Sequence, residues 1–129
     1  MNVNMRYGAG GGSGSRARIS LLWSNTDTTA SFASQTVTLA GPVSDYDILC
    51  VSYFFSTGTQ TLGSALFMSA DLLDGTTAGL RINAGSANRT GARTFTVPTA
   101  GTVNFDSASY NGSTANTYVI PAAIYGIKL

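Results

Sequence analysis

From Arg16 onward, apolar and polar residues alternate through much of this chain, the two-residue period of strands that bury one face. Ile19, Leu21 and Trp23 follow it, as do Gln35, Val37 and Leu39. The central run from Tyr46 to Phe55 differs because both of its faces are apolar. Leu49, Val51, Tyr53 and Phe55 fall on one side, and Ile48, Cys50 and Phe54 on the other. Such a strand belongs at the centre of a sandwich or at a subunit interface. Further strands are predicted over Ala65–Ala70, Gly79–Asn83, Ala92–Val97, Thr102–Ser107 and Tyr118–Leu129. In the last of these, Ile120, Ile124, Ile127 and Leu129 are expected to cover a core, with Pro121 near its start. Turn chemistry separates the strands at Gly41-Pro42, Asp74-Gly75, Ala100-Gly101 and Asn111-Gly112. Only Ser69–Gly75, with Leu72 and Leu73, has room for a short helical turn. About eight short strands at this spacing predict an all-β antiparallel sandwich of jelly-roll type.

The pattern stops at the N-terminus. Gly8 to Ser15 carry glycine at five of eight positions, a flexible coil by composition. Residues 1–15 therefore read as a flexible arm and residues 16–129 as one sandwich domain. The arm is either a passive tail or a segment that orders against a neighbouring subunit through Val3, Met5 and Tyr7. No strand signal precedes the glycines and no Lys-Ser/Thr follows them, which rejects a phosphate-binding loop. The opening residues lack the apolar core of a signal peptide, and no apolar stretch approaches the ~20 residues needed to span a bilayer. The expectation is synthesis in the cytoplasm without membrane insertion.

Composition narrows the chemistry. The chain has no His and no Glu, a single Lys (Lys128) and a single Cys (Cys50). Acid–base and nucleophilic sites near neutral pH rely on tuned versions of those residues, so a binding or structural module is expected, with no enzymatic activity, cofactor or metal. A lone cysteine excludes an internal disulfide, and in the run Ile48–Val51 it reads as a small buried hydrophobe. The 43% hydrophobic content supports a core, while 10% charged residues is well below the usual ~25%. A net charge of +1 gives no field for nucleic acid. A charge-poor surface associates readily, which suits a subunit of an assembly.

Polar and aromatic groupings remain as candidates for contact. Asp45 and Asp47 flank Tyr46 and would share a face on a strand; with Asp71 or Asp74 they offer hard oxygen ligands, but the spacing matches no calcium loop, and a solvated turn is expected. Arg81, Arg89 and Arg93, with Asn83 and Asn88, form either a sugar- or anion-binding patch or soluble edges of the sheet. Trp23, Phe32, Tyr46, Tyr53, Phe54 and Phe95 are expected in the core. Tyr110 and Tyr118, beside Asn111-Gly112 and Asn116 in a polar loop, are the better aromatic candidates for exposed contacts. The candidate receptor or subunit contacts are thus Arg81, Arg89, Arg93, Tyr110, Asn111 and Tyr118.

Three pieces stand out in order: Leu22-Trp23-Ser24-Asn25 followed by Gln35–Leu39, then Tyr46-Asp47 leading into Ile48–Tyr53, and finally Ile124-Tyr125-Gly126-Ile127-Lys128-Leu129. Together they resemble the C-terminal modules of tailed-bacteriophage fibre and minor structural proteins. The resemblance spans roughly Leu21 to Leu129. It implies a β-sandwich that assembles as a trimer on a virion, at a tail tip, baseplate or head fibre, together with other virion proteins. It also implies contact with a host-surface glycan or protein. Such modules usually end long fibre proteins, whereas only the glycine-rich arm precedes this domain, so a small decoration or fibre-head subunit is as well supported as a fibre tip. No catalytic residue carries over. A carbohydrate-binding β-sandwich lectin is the alternative.

Overall fold

The computed structural model describes residues 17–58, 61–83 and 90–129. Val3, Met5 and Tyr7, the rest of the arm up to Arg16, and Asn88 and Arg89 lie outside the described residues. In chain order the strands are β1 (Arg18–Ser24), β2 (Gln35–Thr38), β3 (Ile48–Ser56), β4 (Leu62–Met68), β5 (Ala78–Asn83), β6 (Thr90–Thr99), β7 (Thr102–Phe105), β8 (Ser109–Tyr110), β9 (Ser113–Thr114) and β10 (Tyr118–Lys128). The one helix among the described residues, α1 (Ser69–Leu73), lies where the sequence allows a single turn, and it buries Leu72.

The strands form a sandwich of two antiparallel sheets. One has the order β1-β10-β3-β4. The other runs β2-β7-β6-β8-β9, with β5 along the opposite edge of β6. Leu49, Val51 and Ile124 from the first sheet meet Leu80, Phe95, Val103 and Phe105 from the second, all fully buried. An edge-to-face contact ties the layers together, Phe67 of β4 to Phe95 of β6 with centroids 5.1 Å apart, and Phe32, from the connection between β1 and β2, meets Phe105 of β7 in the same way at 5.5 Å.

The structure corrects several expectations. There are ten strands among the described residues rather than about eight, because the segment read as a polar loop forms the β8–β9 hairpin. Asn111 and Gly112 both have positive φ, 51° and 86°, the requirement of a two-residue turn matched to strand twist. The central strand begins at Ile48 and not at Tyr46, because Val43–Asp45 form a 3-10 turn that buries Val43. Asp45 and Asp47 therefore do not share a strand face. In β10, Ile120 and Ile124 are core residues as expected, but Ile127 is only half-buried and Leu129 is exposed.

Candidate functional site

Arg93 is the first candidate contact to be corrected. It lies on β6, 1% exposed, with its side chain turned into the sandwich. Its Nε donates to the Val119 carbonyl at 2.9 Å, Nη1 to the Asp106 carbonyl at 2.6 Å, and Nη2 to the Phe32 carbonyl at 2.8 Å. The guanidinium carbon lies 5.2 Å from the centre of the Phe32 ring. Burial pushes the guanidinium down to about 10, opposed by the Asp106 carboxylate, so the group stays cationic at neutral pH. Arg93 thus binds its own chain. One of its acceptors belongs to Val119, a β-branched residue at φ 47° that is fully buried. Such backbone is strained and persists only where surrounding contacts enforce it.

Arg81 is exposed on β5 and pairs with Ala92, which places it on the opposite face of the sheet from Arg93. The structure does not unite the two arginines. It does bring together Tyr110 and Tyr118, whose rings stack in parallel with centroids 4.0 Å apart. Phe55 completes the group, edge-on to Tyr118 at 5.6 Å and to Tyr110 at 6.2 Å. Asn111 beside them accepts from the Thr90 N–H at 3.2 Å, which pins the hairpin turn to the start of β6. At the other end of the molecule, an open cleft of about 510 Å³ is lined by Arg18, Ser20, Ser44, Asp45, Tyr46 and Lys128. Neighbouring Asp47 accepts from the Leu129 N–H at 2.8 Å and lies 3.7 Å from the Lys128 ammonium. Its carboxylate is therefore already partnered.

The most distinctive surface is the outer face of the four-stranded sheet. Strand register places Ile19, Ile127, Ile48 and Met68 in one row across it, and Leu21, Tyr125, Cys50 and Leu66 in the next. A row of small residues follows, Ser24, Ala123, Ser52 and Ser64, in which Ala123 and Ser52 are buried, and beyond it Leu62 pairs with Phe54, which packs against the core. None of these residues is charged. Ile19, Leu21, Leu62, Leu66 and Met68 are between 53% and 68% exposed. Scattered exposed aliphatics need no explanation, but a contiguous sheet face of them marks an interaction surface. Burial in an apolar setting also pushes the Cys50 thiol up.

The sequence reading anticipated this face only through the two-sided run at Ile48–Phe55. It did not identify the contributions of β1 and β4. A bulge after Leu21 turns both Leu22 and Trp23 inward and leaves Ile19 and Leu21 outside, and alternation alone does not reveal such an irregularity. Among the described residues no group of three or more His, Cys, Asp or Glu is placed to hold a metal ion, and no helix is long and apolar enough to cross a membrane. The chain matches no protein-family model and no curated protein in sequence.

Proposed function

We propose that this chain is a structural subunit of a bacteriophage virion, a fibre-head, tail or capsid-decoration module that assembles as a homotrimer and acts through surface contact without catalysis. The observation that carries this reading is the uncharged apolar outer face of the four-stranded sheet. Fully burying a Leu, Ile or Met side chain contributes roughly 1.5–3 kcal/mol. The five most exposed residues of the face are a little over half exposed and so offer about 4–9 kcal/mol per copy. Two such faces together are comparable with an association cost of about 4–15 kcal/mol. The likeness of Leu22–Asn25, Tyr46–Tyr53 and Ile124–Leu129 to phage fibre modules favours a virion over a cellular assembly. Light scattering tests the assembly reading: a multiple of 13.3 kDa is expected, and a monomer at micromolar concentration overturns it. Co-sedimentation of the chain with purified phage particles tests the virion reading.

A second reading, a carbohydrate-binding sandwich, draws support from the Phe55, Tyr110 and Tyr118 cluster beside Asn111. A glycan array that yields a ligand lost in Tyr118→Ala would favour it.

A further inference from the structure

We infer that the open cleft at the Lys128 end of the sandwich is a binding site for an acidic sugar, a pyranose that carries one carboxylate among its hydroxyls. The cleft stays open whether or not the apolar outer face is covered. Arg18 and Ser20 alternate along β1 with the exposed Ile19 and Leu21, and so face the side that Leu22 buries. On β10 the facing series runs inward from Lys128 through Gly126 to the core residue Ile124. A sheet face that packs in a core is apolar, yet this one ends in Arg18, Ser20 and Lys128. Opposite them, the 3-10 turn and its cap residue supply Ser44, Asp45 and Tyr46 as the second wall. The space between, about 510 Å³, lies within the ~300–1,000 Å³ of small-molecule sites.

The charges select the ligand. Arg18 and Lys128 are direct partners across β1 and β10, and like charges so placed repel each other. Lys128 is relieved by Asp47, 3.7 Å away, whereas Arg18 makes no ion pair among the described residues. Its guanidinium is a planar fork that matches a carboxylate through two hydrogen bonds, so a ligand carboxylate placed there removes the repulsion. Asp45, exposed on the facing wall, only accepts hydrogen bonds. It can take sugar hydroxyls, and it opposes the greater charge of a phosphate. The Ser20 and Ser44 hydroxyls can donate or accept. The wall is set before a ligand arrives: the Asp47 N–H donates to the Ile127 carbonyl at 2.9 Å and the Tyr46 N–H to the Val43 carbonyl at 3.0 Å. The Tyr46 ring packs on the core directly over Gly126. Such preorganisation lowers the ordering cost of binding.

The test titrates the isotopically labelled full-length chain with glucuronate, glucose and inorganic phosphate, and follows backbone amides by NMR. Glucuronate should shift the amides of Ser20, Ser44, Asp45 and Lys128 and saturate with a dissociation constant on the order of 1 mM. Glucose and phosphate should bind there at least ~10-fold more weakly. Arg18→Met should weaken glucuronate binding at least ~10-fold. Ser44→Tyr, at an exposed position on the turn, should fill the cleft and abolish binding, which keeps the test open if Arg18→Met does not fold. Thr38→Ala, exposed on the other sheet, should leave binding unchanged. Equal affinity for phosphate and glucuronate makes the cleft a site for an adventitious ion only and overturns the inference. Equal affinity for glucose leaves Arg18 without a role and overturns it too, as do shifts confined to Tyr110 and Tyr118. A chain that assembles but whose cleft amides do not respond overturns this inference and leaves the assembly reading intact. A monomer that binds glucuronate in the cleft does the reverse.

Discussion

The two sheets of this sandwich have similar inner faces and opposite outer ones. Inside, each contributes fully buried aliphatic or aromatic residues at alternate positions, Leu49, Val51 and Ile124 from one and Phe95, Val103 and Phe105 from the other. Outside, the larger sheet presents Thr36, Thr38, Arg81, Asn83 and Thr94, all exposed. Hydroxyls and amides there satisfy one another, as in Thr36 to Asn104 at 3.0 Å and Thr94 to the Asp106 carboxylate at 2.6 Å. The smaller sheet presents two rows of aliphatic and aromatic side chains instead. Folding alone needs the inner faces only. Folding therefore accounts for the inner faces and leaves the difference between the outer ones unexplained, one polar and one apolar.

The largest expected effect comes from the single buried charge among the described residues, which sits on the inner face of the water-facing sheet. Arg93→Met removes the donors to the Phe32, Asp106 and Val119 carbonyls and releases the strained turn at Val119. An unsatisfied buried acceptor costs about 1–3 kcal/mol, so a loss of about 3–5 kcal/mol is expected, much of the ~5–15 kcal/mol that a domain possesses. Arg93→Lys should recover only part of it, because an ammonium cannot reproduce the planar fork. Arg81→Met, on the same sheet but facing water, should stay within about 0.5 kcal/mol. Urea unfolding of the three variants decides the matter, and equal stabilities for Arg93→Met and Arg81→Met would remove the structural role assigned to Arg93.

Two glycines separate the sheets at a smaller scale. A Cβ on Gly126, in β10, would lie 2.5 Å from the Tyr46 ring, whereas one on Gly79, in β5, would meet nothing within 4 Å. Gly126→Ala must displace a ring that packs on the core, at a cost of about 1–3 kcal/mol. Gly79→Ala should be neutral or stabilising by up to about 1 kcal/mol, since its backbone is not at positive φ and alanine restricts the unfolded chain. Melting temperatures that move in the same direction for both would contradict this packing.

Much of the fold was legible because period-2 patterning is a property of local sequence. The run from Gln35, the central strand and the terminal strand all appear within a few residues of their expected bounds. Three features escaped, each for a physical reason. The β8–β9 hairpin has strands of two residues, too short to show any alternation. The outward turn of Ile19 and Leu21 depends on a bulge that only the pairing with β10 reveals. Arg93 was read by residue type as a surface cation, although it shares its strand face with Phe95 and Val97. That alternation was the available signal, and the acceptors that make the burial tolerable come from distant segments which no local reading brings together. Of the candidate contacts, Tyr110, Asn111 and Tyr118 do cluster, whereas Arg93 does not join Arg81.

The smallest effect separates the two outer faces without any mutation of the core. If the apolar face is buried between copies, unfolding releases monomers, and stability becomes dependent on protein concentration. For a trimer, a tenfold dilution lowers stability by about 0.9 kcal/mol per chain, two-thirds of the ~1.4 kcal/mol that corresponds to a factor of ten. In a chain of this length that amounts to a fall in melting temperature of about 3 °C. Thr38→Arg, on the outer face of the larger sheet, should keep this dependence unchanged. Leu66→Arg should abolish it while leaving the inward-facing core of β4, led by Phe67, in place. Calorimetry over two decades of concentration measures the slope directly. A melting temperature that does not move with dilution in the wild type would mean that the apolar sheet face remains uncovered by other copies.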